Sequence, residues 1–312
     1  MTVNAPFPSP TPTWHNNTYA ALSPKRPELS AKGKNVLITG GGTGIGAATA
    51  RAFAEAGAAR IALLGRRAQP LLDTKAALER EFGSSGSGLQ VYTFPTDVTK
   101  QSEVNAAFSG FLGDADNANH QKIDVVVSNA AFTGPFEPVS NVDGDAFLHA
   151  INVNLSGALY VAQAFLRYAA PDAVVVNVSS SAAHLEFGGA GLVAYSTAKM
   201  AGVRIWDALA AANPKLGVFH IQPGVVDTDM NREVGGVKAV GHEDHVSLPG
   251  TFSLWLASPE ARFLNGKFLW ANWDVEELKA RREELETTSF LNLSLGGWPF
   301  GEPGWKPVWN AN

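Results

Sequence analysis

The 312-residue sequence predicts an α/β fold: one doubly wound domain with a seven-stranded parallel sheet and helices on both faces. Three observations carry that expectation. Short runs of Val, Ile and Leu recur along the chain and are apolar at nearly every position, as strands buried on both faces must be. Segments with helical spacing of apolar residues alternate with them, the order required by parallel strands joined through crossover helices. The first run, Asn35-Val36-Leu37-Ile38, also passes straight into Thr39-Gly40-Gly41-Gly42-Thr43-Gly44-Ile45-Gly46 and then into an alanine-rich helical pattern. Strand, glycine turn and helix in that order suit a dinucleotide. Gly40 can take the tight turn, Gly44 lets the backbone approach a pyrophosphate, and Gly46 lets the helix pack against the sheet. The helix start offers free N–H groups and a positive dipole end to the phosphates.

Taken in order, the apolar runs predict strands at 35–39, 60–64, 89–94, 123–128, 173–178, 217–222 and 267–271. Helical patterns lie between them near 44–57, 68–82, 100–112, 143–170, 195–212 and 250–258, and GSSGSG at 83–88 reads as a flexible loop. Residues 1–33 carry six prolines and few core candidates, so they are expected to wrap the surface in extended form or to be partly disordered. The folded domain spans 34–273 and includes a glycine-marked substrate loop at 225–250; residues 274–312 form a Trp-rich extension. Six of the eight tryptophans follow residue 250: Trp255, Trp270, Trp273, Trp298, Trp305 and Trp309. Such residues line a substrate mouth, seal a subunit interface, or bury the tail against its own core.

Composition narrows the function. The 24 Lys and Arg are scattered among 29 Asp and Glu, which leaves no basic patch for nucleic acid. No cysteine is present, so disulfides and thiolate metal sites are excluded. No apolar window is long enough to span a membrane and the first 20 residues do not read as a signal peptide, so a soluble, cytoplasmic protein is expected.

Tyr195 and Lys199 stand four residues apart in a helical pattern and so share one face. A phenol titrates near pH 10, and a nearby cation favours its ionised form, so Tyr195 can pass a proton to a carbonyl oxygen or take one from an alcohol. Upstream, the buried run Val174-Val175-Val176-Asn177-Val178 ends in Ser179-Ser180-Ser181, at the sheet edge where doubly wound folds bind ligands. A serine there can hold a substrate carbonyl, although serines at strand ends also simply satisfy backbone groups. Asn154 sits inside a helical pattern, where asparagine is disfavoured; holding a water would explain it, and so would a satisfied core position.

Together these residues resemble the short-chain dehydrogenase/reductases in their single-domain, Rossmann-type form, over roughly residues 34–272. Thr39, Gly40, Thr43, Gly44, Ile45 and Gly46 are similar to that family's cofactor turn, and Asp97-Val98 to its adenine contact. Asn129-Ala130-Ala131 stands where Asn-Ala-Gly is usual, and Pro223-Gly224 with Val226 and Thr228 matches the nicotinamide loop. Asn154, Ser180, Tyr195 and Lys199 match the catalytic set. The resemblance implies hydride transfer between nicotinamide C4 and a carbonyl or secondary alcohol. In it Tyr195 moves the proton, Ser180 orients the oxygen, Lys199 depresses the Tyr195 pKa and holds the ribose, and Asn154 anchors a relay water. The 15-residue step from Ser180 to Tyr195 is longer than usual, which keeps Ser181 a candidate, and Leu269-Trp270-Ala271-Asn272-Trp273 replaces the usual Asp-Gly-Gly.

An NAD site typically carries an acid near position 65 to bind the ribose hydroxyls; here Gly65 is followed by Arg66 and Arg67, able to grip a 2′-phosphate, so NADP(H) is the expected cofactor. Substrate walls are expected from Phe132, Ser181, His184, Phe187, Val225 and Met230, with His184 or Glu186 as polar selectors, which suits a bulky, mostly apolar carbonyl or alcohol. His242-Glu243-Asp244-His245 lacks a metal-binding spacing and reads as a solvated turn, and Asp114, Asp116 and Asn117 read as loop residues, so no metal is expected. Apolar surface on the 143–170 and 195–212 helices, including Ala158, Leu159, Val161, Ala162, Phe165, Ala208, Leu209 and Ala211, suggests a homodimer or homotetramer. The alternatives are an NAD-dependent alcohol dehydrogenase working oxidatively and a non-catalytic dinucleotide-binding regulator.

Overall fold

The computed structural model describes residues 5–83, 88–114, 121–185, 191–233 and 235–294. Seven strands form one parallel sheet in the order β3-β2-β1-β4-β5-β6-β7. They are β1 Asn35–Thr39, β2 Arg60–Gly65, β3 Gln90–Pro95, β4 Ile123–Ser128, β5 Ala169–Val178, β6 Gly217–Gln222 and β7 Phe268–Trp270. The order reverses between β1 and β4, which opens a crevice at the carboxyl ends of the strands.

Helices α1 Gly44–Glu55, α2 Ala68–Phe82, α3 Gln101–Leu112, α4 Gly144–Tyr168 and α5 Val193–Ala212 connect the strands. Between β6 and β7 come α6 Asp229–Glu233, α7 Gly236–Val240 and α8 Ser247–Leu256; after β7 come α9 Val275–Ala280 and α10 Arg282–Thr287. Side chains alternate across the strands. Val36 and Ile38 join Phe53, Leu71 and Phe252 from α1, α2 and α8, whereas Leu37 faces Phe108, Phe165 and Trp206 from α3, α4 and α5. The sheet is therefore covered on both faces, as its unbroken apolar runs predict.

Strand β5 begins four residues ahead of the predicted 173. Ile123 pairs with Ala169 but Val125 with Val174, a shift of register that absorbs the exposed Pro171 and Asp172. Proline supplies no N–H to the ladder, so this irregular entry leaves no apolar run in the sequence. The α6, α7, α9 and α10 helices are one to two turns long, too short for periodicity to reveal.

The N-terminal arm departs most from expectation. Trp14, Leu22 and Leu29 are all but fully buried and belong to the core. Trp14 forms an antiparallel bridge with Trp273, and His15 N donates to Asn272 O at 2.8 Å. Thr13 Oγ1 donates to Glu277 Oε1 at 2.6 Å, and Arg26 pairs with Glu260 at 2.7 Å. Prolines keep this arm out of long regular elements, but the apolar residues between them still insert into the protein.

The extension after β7 is folded onto the same core through 294. Asp274 caps α9 by accepting from Glu276 N and Glu277 N, and Val275, Leu278 and Leu285 are fully buried. Phe268 N donates to Leu291 O at 2.8 Å, which covers part of the β7 edge. Trp255, Trp270 and Trp273 are buried within the chain, the core role among the three considered. Trp298, Trp305 and Trp309 lie outside the described residues, as does 84–87 of the GSSGSG stretch.

Candidate active site

The glycine turn is built as its spacing implies. Gly40 has φ +67°, and a Cβ on Gly46 would stand 2.1 Å from Gly40 O, so only glycine lets α1 begin this close to β1. Thr43 precedes α1 without capping it through its side chain, which leaves first-turn N–H groups, Ile45 among them, as donors at the helix start. Asn129 N and Ala130 N both donate to Thr39 Oγ1, at 2.9 and 3.0 Å, and Asn129 Nδ2 donates to Thr39 O at 2.9 Å. The end of β4 is thus tied to the turn. Opposite, the Thr228 methyl lies 3.0 Å from where a Gly44 Cβ would be, which brings the 223–228 loop over the glycine turn.

Arg66 and Arg67 leave the end of β2 exposed to solvent. Arg66 lies within electrostatic reach of Asp97, whose carboxyl accepts from Thr99 Oγ1 and Thr99 N; the Thr99 hydroxyl, with that N–H, holds it below the usual carboxylate range. Val98 packs against Gly157 of α4. Arg67 Nη2 is 3.8 Å from Asp229 Oδ2, beyond Thr228. The crevice therefore has a glycine cradle, helix-end donors, a carboxylate and two exposed guanidiniums, Arg67 paired with Asp229, a set that fits a nicotinamide dinucleotide.

On the other side of the crevice, Ser180 follows the end of β5 and Tyr195 lies in the first turn of α5, near enough for the Ser180 hydroxyl to act on the phenol. Ser181 directs its N–H to Gln222 Oε1 at 2.7 Å, and it is Ser180 whose hydroxyl acts on Tyr195. Lys199, one turn along α5, donates to Val178 O at 2.7 Å and stands 5.5 Å from the centre of the Tyr195 ring. Burial pushes Lys199 down to about 8 and Tyr195 up to about 12, the Ser180 bond acting in the opposite, smaller direction on the phenol. The rise for Tyr195 is opposite to the expected depression by Lys199. Desolvation is the largest cause, and Lys199 is not among the causes acting on the phenol.

The Asn154 side chain is bonded to neighbouring backbone groups. Its Nδ2 donates to Phe132 O and Ala150 O, and its Oδ1 accepts from Phe132 N at 3.1 Å. The side chain pins the loop after β4 to α4, which explains an asparagine inside a helix.

Of the expected substrate walls, Phe132 is half-buried, edge-on to His149, and Val225 and Met230 are half-buried on the loop after β6. His184 turns toward β7, where its Nε2 accepts from Trp270 Nε1 at 3.1 Å and its ring meets Phe268 edge-on. That bond occupies one ring nitrogen and desolvation lowers the His184 pKa, while the residue stays exposed. Phe187, Glu186, Asp116 and Asn117 lie outside the described residues.

The 242–245 segment is not the solvated turn expected. Glu243 and His245 are exposed, but Asp244 is 2 % exposed and accepts from Val225 N, Asn272 Nδ2 and His242 Nε2. Among the described residues no group of three or more His, Cys, Asp and Glu could hold a metal ion. Asp244 and its partner Asn272 escaped sequence reasoning because their donors come from residues 19 and 28 positions apart.

The family model for short chain dehydrogenases matches residues 34–237, and the chain belongs to that family of oxidoreductases. It is 35% identical over 293 residues to the short chain dehydrogenase/reductase AacuD of Aspergillus aculeatus, covering 93% of this chain and 97% of that protein. Among solved structures it is similar to the NADPH-dependent 3-quinuclidinone reductase of Rhodotorula rubra, with TM-score 0.66, 28% identity and coverage of 86% and 99% of the two chains. An NAD+-bound xylitol dehydrogenase shares the fold with TM-score 0.66 at 24% identity, covering 77% and 98%. No helix among the described residues is long and apolar enough to cross a membrane.

Proposed function

We propose that the protein is an NADP(H)-dependent ketoreductase, or secondary-alcohol dehydrogenase in reverse, acting on a bulky, mostly apolar carbonyl compound. The observation that carries the reading is Ser180 beside Tyr195 with Lys199 5.5 Å from the centre of the ring, at the carboxyl end of β5 in a sheet whose β1 runs into the glycine turn. When bound, the dinucleotide supplies the hydride that adds to the carbonyl carbon. Ser180 then donates a hydrogen bond to the carbonyl oxygen, and Tyr195 delivers its proton to that oxygen as the negative charge develops. A Tyr195 pushed up to about 12 stays protonated at neutral pH, the form needed for reduction. The phenolate left behind draws its replacement proton from the Lys199 side, and the charged ammonium stabilises it meanwhile.

The preference for NADP(H) is supported by Arg66 and Arg67 after β2, whose last residue is Gly65 and not the acid that an NAD site typically carries there. The NADPH dependence of the Rhodotorula relative agrees with it. Phe132, Val225 and Met230 support an apolar substrate. A second copy of the chain is the expected partner, because Leu148, Leu159 and Leu166 remain 63%, 41% and 45% exposed on α4. Their spacings of 11 and 7 residues put them on one face of the helix. Val161, Ala162, Phe165 and Leu209, by contrast, belong to the protein's own core. NADPH consumption over a panel of bulky aromatic and alicyclic ketones, with Tyr195→Phe alongside, tests the reading. Binding of NADPH without turnover of any ketone would favour a non-catalytic binder instead.

A further inference from the structure

We propose that Asp244 is a positioning residue for the dinucleotide, and that the N-terminal arm acts on the cofactor loop through it. This rests on the reading that the 223–228 loop contacts the dinucleotide. The carboxyl group is buried, and its two oxygens are both committed as acceptors: Oδ2 from Val225 N at 2.7 Å, Oδ1 from Asn272 Nδ2 at 2.8 Å. His242 Nε2 adds a third contact to Oδ1 at 2.8 Å. The chain also pairs locally, with Asp244 N donating to Val225 O and a parallel bridge joining Val226 to Asp244. Gly224 fits this packing with φ +96°, since a Cβ there would lie 2.6 Å from Asp244 Oδ2. Residues 224–226 thus hang from one buried side chain.

Asn272 extends the connection. Its Nδ2 donates to His15 O at 2.9 Å as well as to Asp244 Oδ1, so one amide group joins the arm to the loop. The arm reaches the same segment twice more, where His245 N donates to Asn16 O at 2.7 Å and Ser247 Oγ to Asn17 Oδ1 at 2.8 Å. A loop held from behind in its binding conformation spends no binding energy on being ordered, so loosening it weakens dinucleotide affinity more than the chemical step.

Asp244→Asn keeps the shape but turns an N–H2 toward either Val225 N or the Asn272 amide, both of which donate. Asn272→Ala removes the link to the arm and leaves the Val225 bond intact. In NADPH titrations of the full chain, Asp244→Asn is expected to raise Kd about tenfold and Asn272→Ala about threefold. The rate at saturating NADPH and ketone should stay within about twofold of wild type, a split that general destabilisation does not produce. If Asp244→Asn does not fold, Asn272→Ala alone decides. Variants that bind NADPH as the wild type does would overturn the proposal while leaving the reductase reading standing. A wild-type protein that binds neither NADPH nor NADH would remove that reading and this one together.

Discussion

Lys199 Nζ lies 5.5 Å from the centre of the Tyr195 ring while donating to Val178 O, so the cation beside the phenol is held by the last residue of β5, two positions before Ser180. One turn of α5 and the end of β5 thereby set the relative positions of three reacting groups. With Lys199 pushed down to about 8, ketone reduction should fall as pH rises through about 8, where the ammonium loses its charge. A pH profile of kcat/KM for reduction, flat from 6 to 7 and declining above 8, is the expected record; a flat profile through pH 9 would contradict it.

The same half-buried ammonium has a stability consequence. Its folded pKa lies below the unfolded value of 10.5, so between about pH 8 and 10.5 the unfolded chain binds more protons and folding gains stability as pH rises. Lys199→Met should abolish turnover and remove this dependence. Its thermal stability relative to wild type should be most favourable at pH 7 and decline toward pH 10, as read by melting curves at the two pH values.

Tyr195→Phe deletes the proton donor and leaves the cradle untouched. Turnover should drop by about 100-fold or more with NADPH affinity nearly unchanged, and Ser180→Ala should behave alike. Loss of cofactor binding in both variants would mean that the pair is structural.

Arg66→Asp replaces a guanidinium by the acid that an NAD site uses. The ratio of kcat/KM for NADPH over NADH should fall at least tenfold, about 1.4 kcal/mol. An unchanged ratio would sink the cofactor assignment.

Leu159 and Leu166 test the exposed stripe of α4. Replacing both by Arg should convert a dimer or larger assembly to a monomer by light scattering, without changing the melting curve of the isolated chain appreciably. A wild-type monomer at working concentration would refute the assembly.

The sheet was legible because its strands are buried on both faces: Val125, Val126 and Val127, or Val174, Val175 and Val176, leave no polar position to confuse with an amphipathic helix. The turn at 39–46 and the helix-spaced Tyr195 and Lys199 were legible because their chemistry demands fixed local spacing. What was hidden depends on distant chain. Asp244 carries no mark of burial, since Val225 and Asn272 satisfy it. Trp14 looks like part of a proline-rich tail until Trp270 lies edge-on to it at 5.9 Å. The α9 helix did leave a signal: Asp274 followed by Glu276 and Glu277 is a helix start, masked by reading the tail as a block of tryptophans.

The stitching of Thr13 to Glu277 and of His15 to Asn272 joins segments about 260 positions apart. During synthesis the arm is made before the domain, and its receiving surface, around 270–277, is made only after most of that domain. At ribosomal speeds of about 5–20 residues per second, the arm waits on the order of tens of seconds with Trp14 and Leu22 undocked. The prolines at 6, 8, 10 and 12 suit that interval, because a proline-broken stretch cannot offer a strand edge to another nascent chain.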